Sequence, residues 1–410
     1  MTNVLGFSLK SDKDKIASQA PTQRIVEITV KAPHQTAENL RTTMNLALII
    51  DRSGSMGGSK LDYAKQAAMH VVELMGEGDR LSLVSFDNEV TIHASAVFVN
   101  EKTRQDLKNA ILHLKTGGST FLSGGWLAGC QTIASAQMDG GLNRALLLTD
   151  GQANTGIVDA IALGYHAGEL NERGVSTTTL GVGLDFDHFL LERMAEMGGG
   201  NYYFIEDAQS IPAIFQKELS ELIEVSARAV EIIVQMPDGV TSEVLGGWRT
   251  KTDDKGLHIM LGDLASDRQK EIFIKLLTPL QGTPESIEIS ARVFARDQSD
   301  GLMERTADLK LHYADEAEVD LAAEDKELMS RFAIVDNAEA ANEALKLERD
   351  GENARASFLL NQRTRGNSTH LSEDQIREYD ALSQRMGHGL NEADRKRSNY
   401  DANLRRKIRG

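Results

Sequence analysis

The amino-acid sequence places oxygen-bearing side chains directly after two short apolar runs. Asp51, Ser53 and Ser55 follow the first run, and Asp150 follows the second. Because residues two apart in an extended loop point the same way, the carboxylate and the two hydroxyls of the first group should face one point. Carboxylate and hydroxyl oxygens are hard donors, which Mg²⁺, Mn²⁺ and Ca²⁺ prefer. The pattern therefore predicts a divalent-metal site, provided that the two groups meet in space.

A glycine-rich loop offers a further hydroxyl group. Residues 117–120 read Gly-Gly-Ser-Thr and precede a helical pattern, so Ser119 and Thr120 are both candidate donors. The pattern Asp-x-Ser-x-Ser taken alone is also typical of a turn that caps a helix. The metal prediction therefore depends on the position of this loop and of Asp150.

The elements that must position these side chains can be predicted from apolar spacing. Residues 45–50 and 145–149 are continuous apolar runs, which is typical of buried strands in a parallel sheet. Each run is followed by apolar residues at helical spacing, at 59–75 and at 158–173. This alternation predicts an α/β domain with a mainly parallel sheet and helices on both faces. Ligand sites in such sheets lie at the carboxyl ends of strands, which is where both carboxylates fall.

The order Asp-x-Ser-x-Ser, then Thr, then Asp resembles the metal-ion-dependent adhesion site of the von Willebrand factor type A domain family, over about residues 41–225. The resemblance implies a Rossmann-like, doubly wound α/β domain. It implies that Ser53, Ser55 and Thr120 coordinate Mg²⁺, or Mn²⁺ or Ca²⁺, through their hydroxyls. Asp51 and Asp150 would hold the ion directly or through water, and Ser119 could replace Thr120.

The same resemblance implies a function. One coordination position of the ion would accept an Asp or Glu from a partner protein, so we expect a non-enzymatic, metal-dependent protein–protein interaction module. Two alternatives remain open. The chain could be a regulatory or adaptor subunit of a separate AAA+ ATPase of the MoxR or chelatase type, a role that the resemblance to this family also allows. It could also be a metal-dependent hydrolase, although the sequence offers no general base near the site.

The pattern of the chain changes on both sides of this domain. After residue 228, apolar and polar residues alternate with period two between turn signals, which predicts an antiparallel β-sandwich. Residues 24–31 alternate in the same way and are predicted to add a strand to that sandwich. The expected segments are a polar tail (1–22), the joining strand (23–40), the type A domain (41–227), the sandwich (228–315), a helical hairpin (316–364), and a helix with a basic tail (365–410).

Composition and charge exclude several classes of protein. The 410 residues include 45 Lys+Arg and 61 Asp+Glu, a net charge of −16, so we expect no nucleic-acid binding. A single cysteine, Cys130, excludes a disulfide framework and a cysteine-rich zinc module. There is no apolar run of about 18 residues, so no membrane span is expected. The flanking segments resemble those of bacterial and plant proteins that contain this domain, and with these features we expect a cytoplasmic bacterial protein.

Overall fold

The computed structural model describes residues 4–34, 42–138, 140–281 and 285–407. They belong to two compact units. One lies within Met1–His34, Ala227–Asp297 and Leu302–Gly410, and the other lies within Gln35–Ser226 and Gln298–Gly301. The chain of the first unit is therefore interrupted by the second. The predicted start of the α/β domain, at residue 41, lies outside the described residues.

The N-terminal segment belongs to the first unit and corrects one prediction. Residues 1–22 were expected to form a polar tail, but their described part contains two strands and buries Leu5 and Ile16. The tail prediction failed because these strands are short and because the partner of the second strand lies near the other end of the chain. The first strand pairs with the third, and the second pairs with a strand near residue 313. The strands are β1 (Gly6–Ser11), β2 (Lys15–Ala17) and β3 (Thr22–Lys31).

The second unit is a doubly wound α/β domain, as the sequence predicts. Its six-stranded sheet has the order β6-β5-β4-β7-β8-β9, and all neighbours are parallel except the edge strand β6. Its elements are β4 (Met44–Asp51), α1 (Ser59–Leu74), β5 (Arg80–Phe86), β6 (Val90–Phe98), α2 (Glu101–Leu112), α3 (Leu122–Ala134), β7 (Leu142–Thr149), α4 (Ala160–Glu172), β8 (Ser176–Val182), α5 (His188–Met197), β9 (Gly199–Ile205) and α6 (Ile211–Ile223).

The central strand of this sheet is buried on both faces. All eight residues of β4 are buried, which explains its continuous apolar run. Helix α1 packs its apolar stripe, including Leu61, Ala64 and Val71, into the core on one face. Helix α3 lies unusually close to the strands, since a Cβ on Gly125 or Gly129 would come within 2.4 Å of a sheet side chain. This close packing fixes the loop that precedes α3 against the carboxyl edge of the sheet.

The first unit contains the β-sandwich. One sheet has the order β1-β3-β14-β11 and the other β12-β13-β10-β15-β16-β2. Strand β3 is antiparallel to both β1 and β14, and β14 is antiparallel to β11. In the other sheet the pairs β12–β13, β10–β15 and β15–β16 are antiparallel, and β16 and β2 are parallel. Apolar side chains from both sheets form one core between them. The remaining strands are β10 (Val225–Gln235), β11 (Thr241–Val244), β12 (Arg249–Asp253), β13 (Gly256–Ala265), β14 (Gln269–Thr278), β15 (Ser286–Arg296) and β16 (Leu302–Ala314).

The described part of this unit also contains five helices, where the sequence predicted a helical hairpin over 316–364 and a helix with a basic tail over 365–410. They are α7 (Glu316–Leu321), α8 (Lys326–Arg349), α9 (Asn353–Gly366), α10 (Glu373–His388) and α11 (Glu392–Arg406). The long α8 places Leu328, Phe332 and Val335 against Ile25 and Phe273 of the sandwich. The basic segment is helical and pairs with acids of this unit, as Arg395 does with Glu348. None of the helices in the described ranges has the length and apolar character that crossing a membrane requires.

Candidate metal centre

Two adjacent strand ends bring the predicted carboxylates together. Asp51 is the last residue of β4, and Asp150 directly follows β7. These strands are parallel neighbours in which Ile50 pairs with Leu148, so both end at the same edge of the sheet. The predicted convergence at the carboxyl ends of strands is therefore what the fold produces.

The carboxylate of Asp51 is buried and receives only uncharged donors. Its Oδ1 accepts a hydrogen bond from the backbone N–H of Ser53 at 2.8 Å, and its Oδ2 accepts one from Thr149 Oγ1 at 2.5 Å. No Lys, Arg or His among the described residues forms an ion pair with it. Burial raises the pKa of Asp51 to about 6, against the hydrogen bonds from Thr149 and Ser53, and the nearby charge of Asp150 raises it further.

A chain of hydroxyl contacts connects the first motif to Asp150. Ser53 Oγ and Ser55 Oγ lie 3.1 Å apart, and Ser55 Oγ donates to Asp150 Oδ1 at 2.7 Å. Asp150 is fully buried, and its Oδ2 forms an ion pair with the ammonium of Lys60. Both oxygens of Asp150 therefore have partners within the protein.

Thr120 also lies at this site, because both Thr120 and Asp51 are close to Gly151. A Cβ added to Gly151 would lie 2.9 Å from Thr120 Oγ1 and 3.7 Å from Asp51 Oδ2. The backbone of Thr120 is fixed by Asn154, which receives its N–H at 3.1 Å and donates its own N–H to the Thr120 carbonyl at 3.3 Å. Thr120 is buried whereas Ser119 is exposed, so the geometry favours Thr120 over the alternative.

Backbone contacts hold the two loops of the site together. The N–H of Gly54 donates to the carbonyl of Gly118 at 2.9 Å, and the N–H of Gly117 donates to the carbonyl of Arg52 at 2.7 Å. Asp87 accepts from Arg52 Nη2 at 3.2 Å and from the N–H of Gly118 at 3.2 Å. The loop with the two serines and the loop with Thr120 are thus one connected structure.

Two residues of the site were not predicted from the sequence. Thr149 donates to Asp51, and Lys60 neutralises Asp150. Thr149 could have been noticed because it stands directly before Asp150. Lys60 carries no comparable local signal, since 90 residues separate it from its partner.

The donor set suits a hard divalent ion. The side chains that surround Gly151 and the serine loop present carboxylate and hydroxyl oxygens, and the absent side chain of Gly151 leaves space between Thr120 and Asp51. Within the described ranges, no three His, Cys, Asp or Glu side chains form a metal-binding cluster. A metal at this site would therefore depend on hydroxyls in addition to the two carboxylates, which is compatible with Mg²⁺, Mn²⁺ or Ca²⁺.

Comparison with known proteins identifies the family of the α/β domain. The sequence model of the von Willebrand factor type A domain family matches residues 45–217. Residues 45–217 belong to the von Willebrand factor type A domain family. A von Willebrand factor type A protein from Catenulispora acidiphila has a similar fold, with a TM-score of 0.76 and 16% identity, over 100% of this chain and 98% of that one.

The curated relatives of this type A domain protein include two uncharacterized bacterial proteins. One, from Synechocystis sp., is 28% identical over 65% of this chain and 65% of its own length. The other, from Escherichia coli, is 26% identical over 52% of this chain and 36% of its own length. The matches span less than two thirds of either relative.

Proposed function

We propose that this protein binds a partner protein through a divalent cation held at its type A domain. The ion would be held by Asp51, Ser53, Ser55, Thr120 and Asp150, and it would accept an Asp or Glu of the partner as a further ligand. When bound, the ion supplies the positive charge that attracts the carboxylate. The protein's own residues orient the ion and keep water from one side of it, and we propose no catalytic step.

The observation that carries this proposal is the environment of Asp51. A fully buried carboxylate without a cationic partner is costly, because burial removes its hydration. The three hydroxyls nearby add donors but no charge. A divalent ion would compensate Asp51 and retain attraction for an outside anion, because the hydroxyls do not neutralise it.

The proposal is tested first by metal titration. Isothermal calorimetry with Mg²⁺ and with Mn²⁺ should give one ion per chain for the native protein. Asp51→Asn should bind neither ion, because the amide is a poor ligand for a hard cation. The matched control is Asp62→Asn, which removes an exposed acid from the first turn of α1. Equal binding by the native protein and Asp51→Asn, with native circular dichroism, would rule out this site.

The partner is tested by affinity capture under two conditions. Immobilised native protein should retain its partner in Mg²⁺ and release it in excess chelator, whereas Asp51→Asn should retain nothing in either condition. The Asp62→Asn control should behave as the native protein does. Capture that is identical in chelator and in Mg²⁺ contradicts a metal-bridged contact.

A further inference from the structure

Lys60 brings a positive charge to the proposed metal site. It is the second residue of α1, directly after the serine loop, and its Nζ pairs with Asp150 Oδ2. Asp150 is fully buried, and the Lys60 side chain is 26% exposed. Because one partner is fully buried and the other is only partly exposed, the charges of this pair act on neighbouring groups more strongly than those of a surface pair would.

The position of Lys60 is set by its surroundings. Gly183, just after β8, has a φ of +77°, and a Cβ added there would lie 3.5 Å from Lys60 Nζ and 3.7 Å from Cε. On the other side, Ser55 Oγ holds the second oxygen of Asp150 at 2.7 Å. Lys60 therefore lies beside Gly183 at the end of β8, and its ion pair with Asp150 holds its charge at the site.

Counting charges shows what Lys60 changes. The two carboxylates and the ammonium leave the cluster with a single negative charge. A divalent ion would make it singly positive, and one carboxylate from a partner would then make it neutral. Without the ammonium, the same ion would already neutralise the cluster, and an incoming carboxylate would leave it negative.

We propose that Lys60 weakens the binding of a divalent ion alone and makes the ion and a carboxylate bind together. The inference rests on the proposed function, because it concerns the same site. It assigns to Lys60 the role of a positioning and charge-balancing residue. The ion would then be retained mainly when a partner's acid is present.

The first test is the affinity for Mn²⁺ alone, from the electron paramagnetic resonance signal of free Mn²⁺ in chloride buffer. Lys60→Gln removes the charge but keeps a hydrogen-bond donor for Asp150. It should bind Mn²⁺ about tenfold more tightly than the native protein, because a like charge has been removed. Lys60→Arg keeps the charge and should match the native protein. Lys65→Gln, on the same helix and bonded to the carbonyl of Leu112, is the control for net charge.

The second test uses acetate as the carboxylate and needs no substitution. Replacing chloride by acetate at constant ionic strength should tighten Mn²⁺ binding to the native protein, after correction for Mn²⁺–acetate complexes in solution. The increase in Mn²⁺ affinity that acetate causes should be smaller in Lys60→Gln than in the native protein.

The results separate two kinds of failure. If no protein, native or substituted, binds Mn²⁺, the proposed metal site is wrong and this inference fails with it. If the native protein and Lys60→Gln bind Mn²⁺ equally, or the variant binds more weakly, only the role of Lys60 is wrong. The absence of any acetate effect on the native protein would also overturn it.

Discussion

Two buried carboxylates of the sandwich and helix unit are balanced by cationic side chains, whereas among the described residues the buried carboxylate of Asp51 in the α/β unit is not. In the sandwich and helix unit, Glu27 is 3% exposed and receives both Nη2 contacts of Arg331, at 2.7 and 2.9 Å. Asp336 in the same unit is paired with Lys275 Nζ at 2.6 Å and with Arg363 Nη1 at 2.5 Å. In the α/β unit, Asp51 is equally buried but receives only hydroxyl and amide donors.

The difference separates structural acids from an acid suited to binding. Burial raises the pKa of Glu27, and the hydrogen bonds and charge of Arg331 oppose that rise. Burial also raises the pKa of Asp51, but the donors that oppose it there are uncharged side chains and a backbone amide. The charge of a buried acid with a guanidinium partner is balanced within the protein, whereas the charge of Asp51 has no cationic side chain in the described part of the chain to balance it. The comparison therefore distinguishes Asp51, the acid on which the proposed metal site depends, from Glu27 and Asp336.

The largest change in stability is expected when Arg331 is replaced. Arg331→Met leaves Glu27 and Glu271 close together without their shared cation, and it should destabilise its unit by about 3 kcal/mol. This value is at the low end of the range for buried pairs, because the Arg331 side chain is 32% exposed. Asp51→Asn should leave the stability of the α/β unit unchanged or higher, since it removes a buried charge that has no cation.

The two tryptophans allow the two effects to be measured separately. Trp126 lies in the α/β unit and Trp248 in the sandwich, so urea unfolding of Trp126→Phe and Trp248→Phe backgrounds reports one unit each. If Asp51→Asn destabilises its unit as much as Arg331→Met destabilises the other, the two kinds of acid do not differ and the comparison fails.

An intermediate effect is expected from filling the space beside Thr120. Gly151→Ala would place a methyl group 2.9 Å from Thr120 Oγ1, which must then move. We expect Mn²⁺ affinity to fall about tenfold while stability changes by about 1 kcal/mol. Gly366→Ala is the control, because no atom other than those of its chain neighbours and its own helix backbone would lie within 4 Å of the added methyl group. Native Mn²⁺ affinity in Gly151→Ala would mean that this space does not belong to the metal site.

The smallest effect is expected at His258, where two acids surround one base. His258 Nδ1 contacts Glu231 Oε1 at 2.7 Å, and Nε2 contacts Asp253 Oδ1 at 2.9 Å. The hydrogen bond with Glu231, followed by that with Asp253, raises the pKa of His258 above 6.5, although burial opposes the rise. The stabilisation from the charged form is therefore fully present below about pH 6.5 and is lost as the pH rises through the raised pKa.

This pH dependence can be measured in the Trp126→Phe background. With His258 present, the free energy of unfolding of the sandwich unit should fall by less than about 1 kcal/mol between pH 6 and pH 9, and its urea midpoint should fall with it. The change is small because the partners of His258 are partly exposed. His258→Gln should remove most of that slope. A slope that is unchanged in His258→Gln would show that other groups cause it.

The sequence by itself determined the fold class and the location of the candidate site. The apolar run before Asp51 needs to be buried on both faces, and a strand in the middle of a parallel sheet meets that need. The alternation of such runs with amphipathic helices led to the doubly wound domain, which is confirmed. The spacing of Asp51, Ser53 and Ser55 is local, so it could be recognised without any coordinates. Their role as metal ligands stays a prediction.

Only the tertiary structure decided which groups surround the acids and which segments belong to the first unit, with the sandwich. Thr149 reaches Asp51 across 98 residues of sequence, and Lys60 reaches Asp150 across 90. Strand β2 pairs with residues near 313, so the predicted N-terminal tail is instead part of a sheet. Local patterns report how one segment divides its polar and apolar faces. Contacts between distant segments depend on how those faces pack, which the order of residues along the chain does not reveal.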